Sequence, residues 1–265
     1  MFWFYVKKNF CNLWDDLFAV FVPGLTMSLC AALCLFCVYA CGVAQQSYGA
    51  LAIAFVVASG VFFGTVFAFG GNALALASWE IAPVKGFFAG FRKDFVPGLA
   101  FGALAALLVL VLSLAIPYYL KVVKQTVGSF ALVIAGALFW FGIIAFLALQ
   151  WFLPLHKIMP ADGFFKTLRK CLIIFFDNAG FSVAVFLHNC ALFVFSLLIF
   201  SAPAVVALSL TNALRLRLYK YDWLETLPES ASKDERAEVP WSALLKEDRD
   251  TLGPRSLRSF IFPWK

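Results

Sequence analysis

Four polar side chains stand inside long stretches without charge: Asn72, Gln150, His188 and Asn212. In hydrocarbon a carboxamide or an imidazole must find a hydrogen-bond partner, either on a neighbouring helix or on a solute passing between helices. The three amides fall near the ends of alternate apolar stretches, and Asn72-Ala73-Leu74 returns as Asn212-Ala213-Leu214. If the helices that carry them pack around one axis, the amides converge on a polar cavity; otherwise each ties two helices together. His188 could relay a proton, because imidazole titrates near neutral pH. The plainer role for a lone histidine beside Asn189 is that of a hydrogen-bonded packing residue.

Other chemistry finds little support. No Gly-rich phosphate loop, HExxH, GxSxG or pair of carboxylates within the apolar stretches is present, so no nucleophile and base can be named. The expectation is a protein that is not an enzyme and carries no cofactor. Cys30, Cys34, Cys37 and Cys41 share one face of a helix by their spacing. Only His156 and His188 could support a metal or haem there, so close helix packing is the reading for that face.

Basic side chains cluster in a repeated segment. Ile81-Ala82-Pro83-Val84-Lys85-Gly86-Phe87-Phe88 through Arg92-Lys93 returns as Ile158-Met159-Pro160-Ala161-Asp162-Gly163-Phe164-Phe165 through Arg169-Lys170, at an offset of 77 residues. The spacing marks an internal repeat. Lys85, Arg92, Lys93, Lys166, Arg169 and Lys170 could recognise a lipid headgroup or a soluble partner, although anchoring the chain at an anionic leaflet needs only their charge.

The elements that must position these groups follow from composition. Hydrophobic residues make up 63% of the 265, charged ones 14%, and mean hydropathy is +0.90. Soluble domains are apolar to roughly 45–50%, so the chain is expected in a membrane. Its apolar runs are continuous and do not alternate as barrel strands do, which leaves helices. Leu17 to Trp79 carries no formal charge, length enough for two spans of about 20 residues. Lys7 and Lys8 precede an apolar run longer than a signal-peptide core, so the N-terminus is expected to stay attached.

The expected architecture is an all-α integral membrane protein with about six transmembrane helices, arranged as three repeated units of amphipathic surface helix plus transmembrane hairpin. Amphipathic segments are placed at 1–16, 80–94 and 157–176. Spans are placed at about 17–43, 49–79, 95–120, 128–155, 178–201 and 204–219, with a turn at Gln45-Gln46-Ser47-Tyr48-Gly49. Residues 221–265 form a polar tail with no globular core of its own. Its end, Arg255 to Lys265, reads as a membrane re-attachment segment or a docking peptide. Twelve basic residues of the membrane part fall on one side, against Lys121 and Lys124 on the other, a bias that puts both termini in the cytoplasm.

Gly86-Phe87-Phe88 through Arg92-Lys93-Asp94-Phe95, Tyr118-Tyr119, Phe152-Leu153-Pro154-Leu155, the amphipathic Phe164 to Lys170 and Ala202-Pro203 before Asn212 resemble the YesL-like family of small bacterial membrane proteins, over roughly residues 60–220. That resemblance implies a multi-span protein of the bacterial inner membrane, associated with carbohydrate uptake. The function expected is an accessory or regulator of a transport or envelope complex. Its partners would be the lipid bilayer and a membrane protein or a second copy of the chain, and not nucleic acid. A small solute transporter or channel built from repeated hairpins is the alternative.

Overall fold

A computed structural model describes residues 1–45, 47–125, 129–199, 201–228 and 232–255. The expected turn at Gln46 and the aromatic, basic stretch over 256–265 lie outside the described residues. The described chain is helical throughout. It runs α1 (Phe2–Asp15), α2 (Leu17–Gln45), α3 (Tyr48–Ala77), α4 (Val84–Gln125), α5 (Ser129–Leu149), α6 (Phe152–Ile158), α7 (Phe164–Asp177), α8 (Ala179–Leu197) and α9 (Ala202–Thr226). Three short helices follow: α10 (Lys233–Ala237), α11 (Trp241–Leu244) and α12 (Lys246–Leu252).

Five segments are long and apolar enough to cross a membrane: Leu17–Ala44, Tyr48–Ala77, Val84–Lys121, Phe130–Ile158 and Ala179–Leu197. Their outer faces are covered with exposed Leu, Val, Ile, Phe and Trp, a surface suited to lipid and not to water. The sixth expected span falls on α9. There the uncharged run ends at Leu214, because Arg215, Arg217 and Lys220 follow. Thirteen residues of helix reach only about 20 Å, short of the roughly 30 Å hydrocarbon core. α9 is the most enclosed of the long helices, with Ala204, Leu208, Thr211, Asn212 and Leu216 all buried.

The first repeated connector does not lie apart as a surface helix. α4 begins just after Pro83 and continues unbroken through Pro97 and Pro117, because its first turns pack on α3 just as its later ones do. Glycines make the contact possible. A Cβ on Gly90 would stand 2.2 Å from the Ala68 carbonyl oxygen, and one on Gly102 would stand 2.4 Å from that of Ser59. Gly60 and Gly64 open the facing side of α3, so the two backbones touch, as small residues allow in membrane helices. The second connector behaves differently. α6 ends at Ile158 and α7 starts afresh after Gly163, with Thr167, Cys171, Ile174 and Phe175 turned inward.

In both copies the first Phe of the pair faces the protein and the second faces out. Phe87 is buried and Phe164 packs on Phe152 at 5.0 Å between rings, while Phe88 and Phe165 are 55% and 83% exposed. The core between the connectors is a run of aromatic rings. Phe101 stacks on Phe152 at 4.8 Å and meets Phe67 at 5.4 Å, joining α3, α4 and α6.

α1 is amphipathic, yet it is not laid loosely on a surface. Its polar face, Tyr5, Lys8, Asn9 and Asn12, is buried against the protein together with Cys11, whereas Trp3 and Trp14 point outward.

Candidate functional site

The four polar side chains singled out in the sequence go to separate places. The Asn72 amide donates to the Pro83 carbonyl at 3.0 Å, fastening the end of α3 to the lead-in of α4. Gln150 donates to Leu147 O at 2.8 Å and to Ser182 O at 3.1 Å, tying the end of α5 to α8. Asn212 donates to Asn9 Oδ1 at 2.7 Å, joining α9 to α1. The three amides therefore bond three different partners and not one another. The His188 ring packs edge-on against Tyr5 at 5.1 Å. It borders a cavity of about 110 Å³ between α1, α8 and α9 that also touches Asn9 and Ser209.

The most concentrated polar structure is the seam between α1 and α9. Tyr5, Asn9 and Asn12 lie at i, i+4 and i+7 and so share a helix face. Tyr5 OH and Ser209 Oγ are 2.6 Å apart, Asn9 Nδ2 donates to the same Ser209 Oγ at 3.1 Å, and Asn12 donates to Leu76 O at 2.6 Å. The sequence gives Asn212 away by its place in an apolar helix. Its partners are hidden, because Tyr5, Asn9 and Asn12 sit in a segment whose aromatic and basic content reads as interfacial.

The seam continues into an ion pair that spans almost the whole chain. Lys8 Nζ lies 2.7 Å from Asp248 Oδ1, with the lysine fully buried. Trp79 Nε1 donates to the same oxygen at 2.8 Å, and Tyr219 OH to Asp248 Oδ2 at 3.1 Å. Burial alone would push the Asp248 carboxyl up, but the Lys8 charge and the three hydrogen bonds outweigh it and hold it below the usual aspartate value. Leu245 and Leu252 on the same face of the tail are buried as well. The tail is thus seated on the membrane part, and Arg215 closes the same end by donating to Ala77 O at 2.6 Å.

A second buried pair, Lys157 with Asp94, joins α6 to α4, each side chain 9% exposed. The connector cations are used differently. Lys85, Arg92, Lys93, Lys166 and Arg169 are exposed and Lys170 is half-buried. Lys166 Nζ reaches Asp162 Oδ1 at 2.6 Å and Lys170 pairs with its other oxygen, so hydrogen bonds from these two lysines keep the Asp162 carboxyl below its ordinary value.

Cys30, Cys34, Cys37 and Cys41 line a groove of about 680 Å³ between α2 and α3, opposite Ala50, Ala54 and Ala58. Cys34 and Cys37 stand in Cys-x-x-Cys spacing, which the sequence reading passed over, and all seven cysteines are free thiols. Among the described residues no group of three or more His, Cys, Asp or Glu could hold a metal ion. No family model, curated protein or solved structure matches the chain.

What this arrangement does chemically is to hold helices by hydrogen bonds and to balance two buried cations. The seam's strength is measurable. In a double-mutant cycle of Asn9→Ala and Asn212→Ala, followed by reversible unfolding in mixed micelles, the coupling should be favourable and about 0.6 kcal/mol, the usual value for such bonds in a membrane protein.

Proposed function

We propose that this chain is a non-enzymatic protein of the bacterial inner membrane that assists or regulates a transport or envelope complex, carbohydrate uptake being the foremost case. The supporting observation is the seated tail: Asp248, Leu245 and Leu252 are packed onto the bundle beside the polar seam, at the end where α3 and α9 finish. Tail and exposed connector cations together form a contact face for another protein. The separate anchoring of Asn72, Gln150 and Asn212 favours this reading over a solute path lined by those amides.

In this proposal the chain crosses the bilayer six times as three hairpins, the short α9 making the last crossing under the cover of its neighbours. Both termini and the connector lysines and arginines then face the cytoplasm, in keeping with the positive-inside bias. Kinship with the YesL-like family belongs to the same proposal.

Purification of the tagged chain in mild detergent, followed by mass spectrometry, tests it. We expect a stoichiometric membrane-protein partner, lost when 241–265 are deleted while the membrane part still inserts. A homogeneous preparation without partner from cells grown on several carbon sources would overturn the accessory reading.

A further inference from the structure

At the end of the bundle, donors from three separate elements converge on one point. They are the Lys8 ammonium of α1, the Trp79 indole N–H just after α3 and the Tyr219 hydroxyl of α9, at 2.7, 2.8 and 3.1 Å from the Asp248 carboxylate. Arg215 stands close enough for its charge to act on Lys8 and Tyr219. An ammonium, an indole N–H and a phenol that all donate make a receptor for an anionic oxygen, since charge-assisted bonds of this kind are the strong ones.

The receptor is shaped in advance. Trp79 has φ 62°, the one non-glycine residue with positive φ among those described. Such a backbone is unfavourable for a bulky residue and persists only where its surroundings impose it. The conformation brings the indole over Lys8, with Nζ 5.0 Å from the ring.

The anion that fills this receptor belongs to the chain's own tail. α12 is seven residues long; Leu245 at its N-cap, with Asp248 and Leu252, provides the buried contacts, supplemented at the surface by Arg249 over Phe4 and by Arg255 with Asp15. α10, earlier in the tail, closes its own capping box, and its Asp234, Glu235 and Arg236 are exposed. If the tail left with nothing in exchange, the Lys8 ammonium would lose the carboxylate it pairs with, and breaking such a pair by removing one partner is destabilising. An anion entering as the tail leaves removes that penalty.

We infer that Asp248 is an intramolecular stand-in for a phosphate group, and that the headgroup phosphate of an anionic phospholipid displaces it from Lys8, Trp79 and Tyr219. Trp and Tyr are the residues found at headgroup level, and the cytoplasmic leaflet carries the anionic lipids. By linkage, lipid binding loosens the tail and the seated tail weakens lipid binding by the same factor. The inference requires no second protein, but it rests on the proposed cytoplasmic side of both termini.

The full-length protein in nanodiscs tests it, with tail release read as chymotryptic cleavage after Leu245 and Leu252, which are buried while the tail is seated. Replacing part of the phosphatidylcholine by phosphatidylglycerol should raise cleavage by about tenfold, within the usual range for coupled sites. Asp248→Asn should release the tail in phosphatidylcholine alone and tighten phosphatidylglycerol binding, followed by native mass spectrometry, by a similar factor. Lys8→Gln should abolish the lipid effect. Millimolar inorganic phosphate in phosphatidylcholine discs separates the sources: release by phosphate without any effect of phosphatidylglycerol assigns the site to a free ion and overturns the lipid assignment. Cleavage unmoved by either anion, or a lipid effect that survives Lys8→Gln, overturns the site itself.

Discussion

Gly90→Leu should separate α3 from α4 and lower stability by about 3 kcal/mol or more, the upper range for overpacking, because the obstacle here is backbone and cannot rotate away. The first carbon added would already stand 2.2 Å from the Ala68 carbonyl oxygen, and Gly102→Leu meets Ser59 in the same way. Gly71→Leu is the control. Nothing lies within 4 Å of a Cβ at that exposed position, so its effect should stay within about 0.5 kcal/mol apart from helix propensity, which favours leucine over glycine. Thermal melts in one detergent compare all three. A Gly90→Leu protein that melts with the wild type would mean that α3 and α4 do not touch along this line.

Lys157→Ala should be comparably damaging, by about 3–5 kcal/mol, since it leaves the Asp94 carboxylate buried without its partner. The lysine does more than neutralise. Its stem lies against Gly70, close enough that a Cβ there would meet Lys157 Cε at 2.6 Å, so truncation also opens space between α3 and α6. The double variant Asp94→Asn, Lys157→Met keeps the shape and removes both charges, and replacing a buried pair by groups of similar volume is often neutral. Recovery of most of the lost stability in the double variant is therefore expected. A Lys157→Ala loss below about 1 kcal/mol would instead indicate that water already solvates the pair.

The two ion pairs mark where sequence and structure part. Uncharged runs bounded by lysine and arginine reveal the long helices directly, because the hydrocarbon core admits few charges; five of the expected spans fall on five long apolar helices. The sixth expected span, 204–219, is uncharged only as far as Leu214 and is extended by Arg215 and Arg217, so its apolar length alone does not mark it as the other five are marked. Lys8 and Lys157 look like ordinary topology charges in the sequence. Their buried roles depend on Asp248 and Asp94, and the first of these partners is 240 residues away. A trace of the tail's seat was legible: Leu245, Asp248 and Leu252 sit at i, i+3 and i+7, one face of a helix.

The α3–α4 seam was also written in the chain, as Gly60 and Gly64, Gly86 and Gly90, Gly98 and Gly102, each pair four residues apart. The 77-residue repeat points the other way, to a separate surface helix over 80–94, but residues from Val84 onward belong to α4. Asn72, Gln150 and Asn212 each donate the hydrogen bond that an amide in an apolar stretch needs. Which partners could not be read, because two of the three bond backbone carbonyls, which every residue offers alike.

The polar face of α1 has a consequence for the order of events at the ribosome. Tyr5 and Asn9 bond Ser209 and Asn212 of α9, and Lys8 waits for Asp248. α1 thus completes its contacts with helices made about 200 residues later. At roughly 5–20 residues per second, about 200 residues of further synthesis take some ten to forty seconds. Throughout that time α1 has a wet face and a greasy face and no protein to bury the former, a state that the water–lipid boundary accommodates. α1 can leave that boundary and dock beneath α9 only once α9 has been made, and a chain interrupted before residue 202 would keep α1 outside for good.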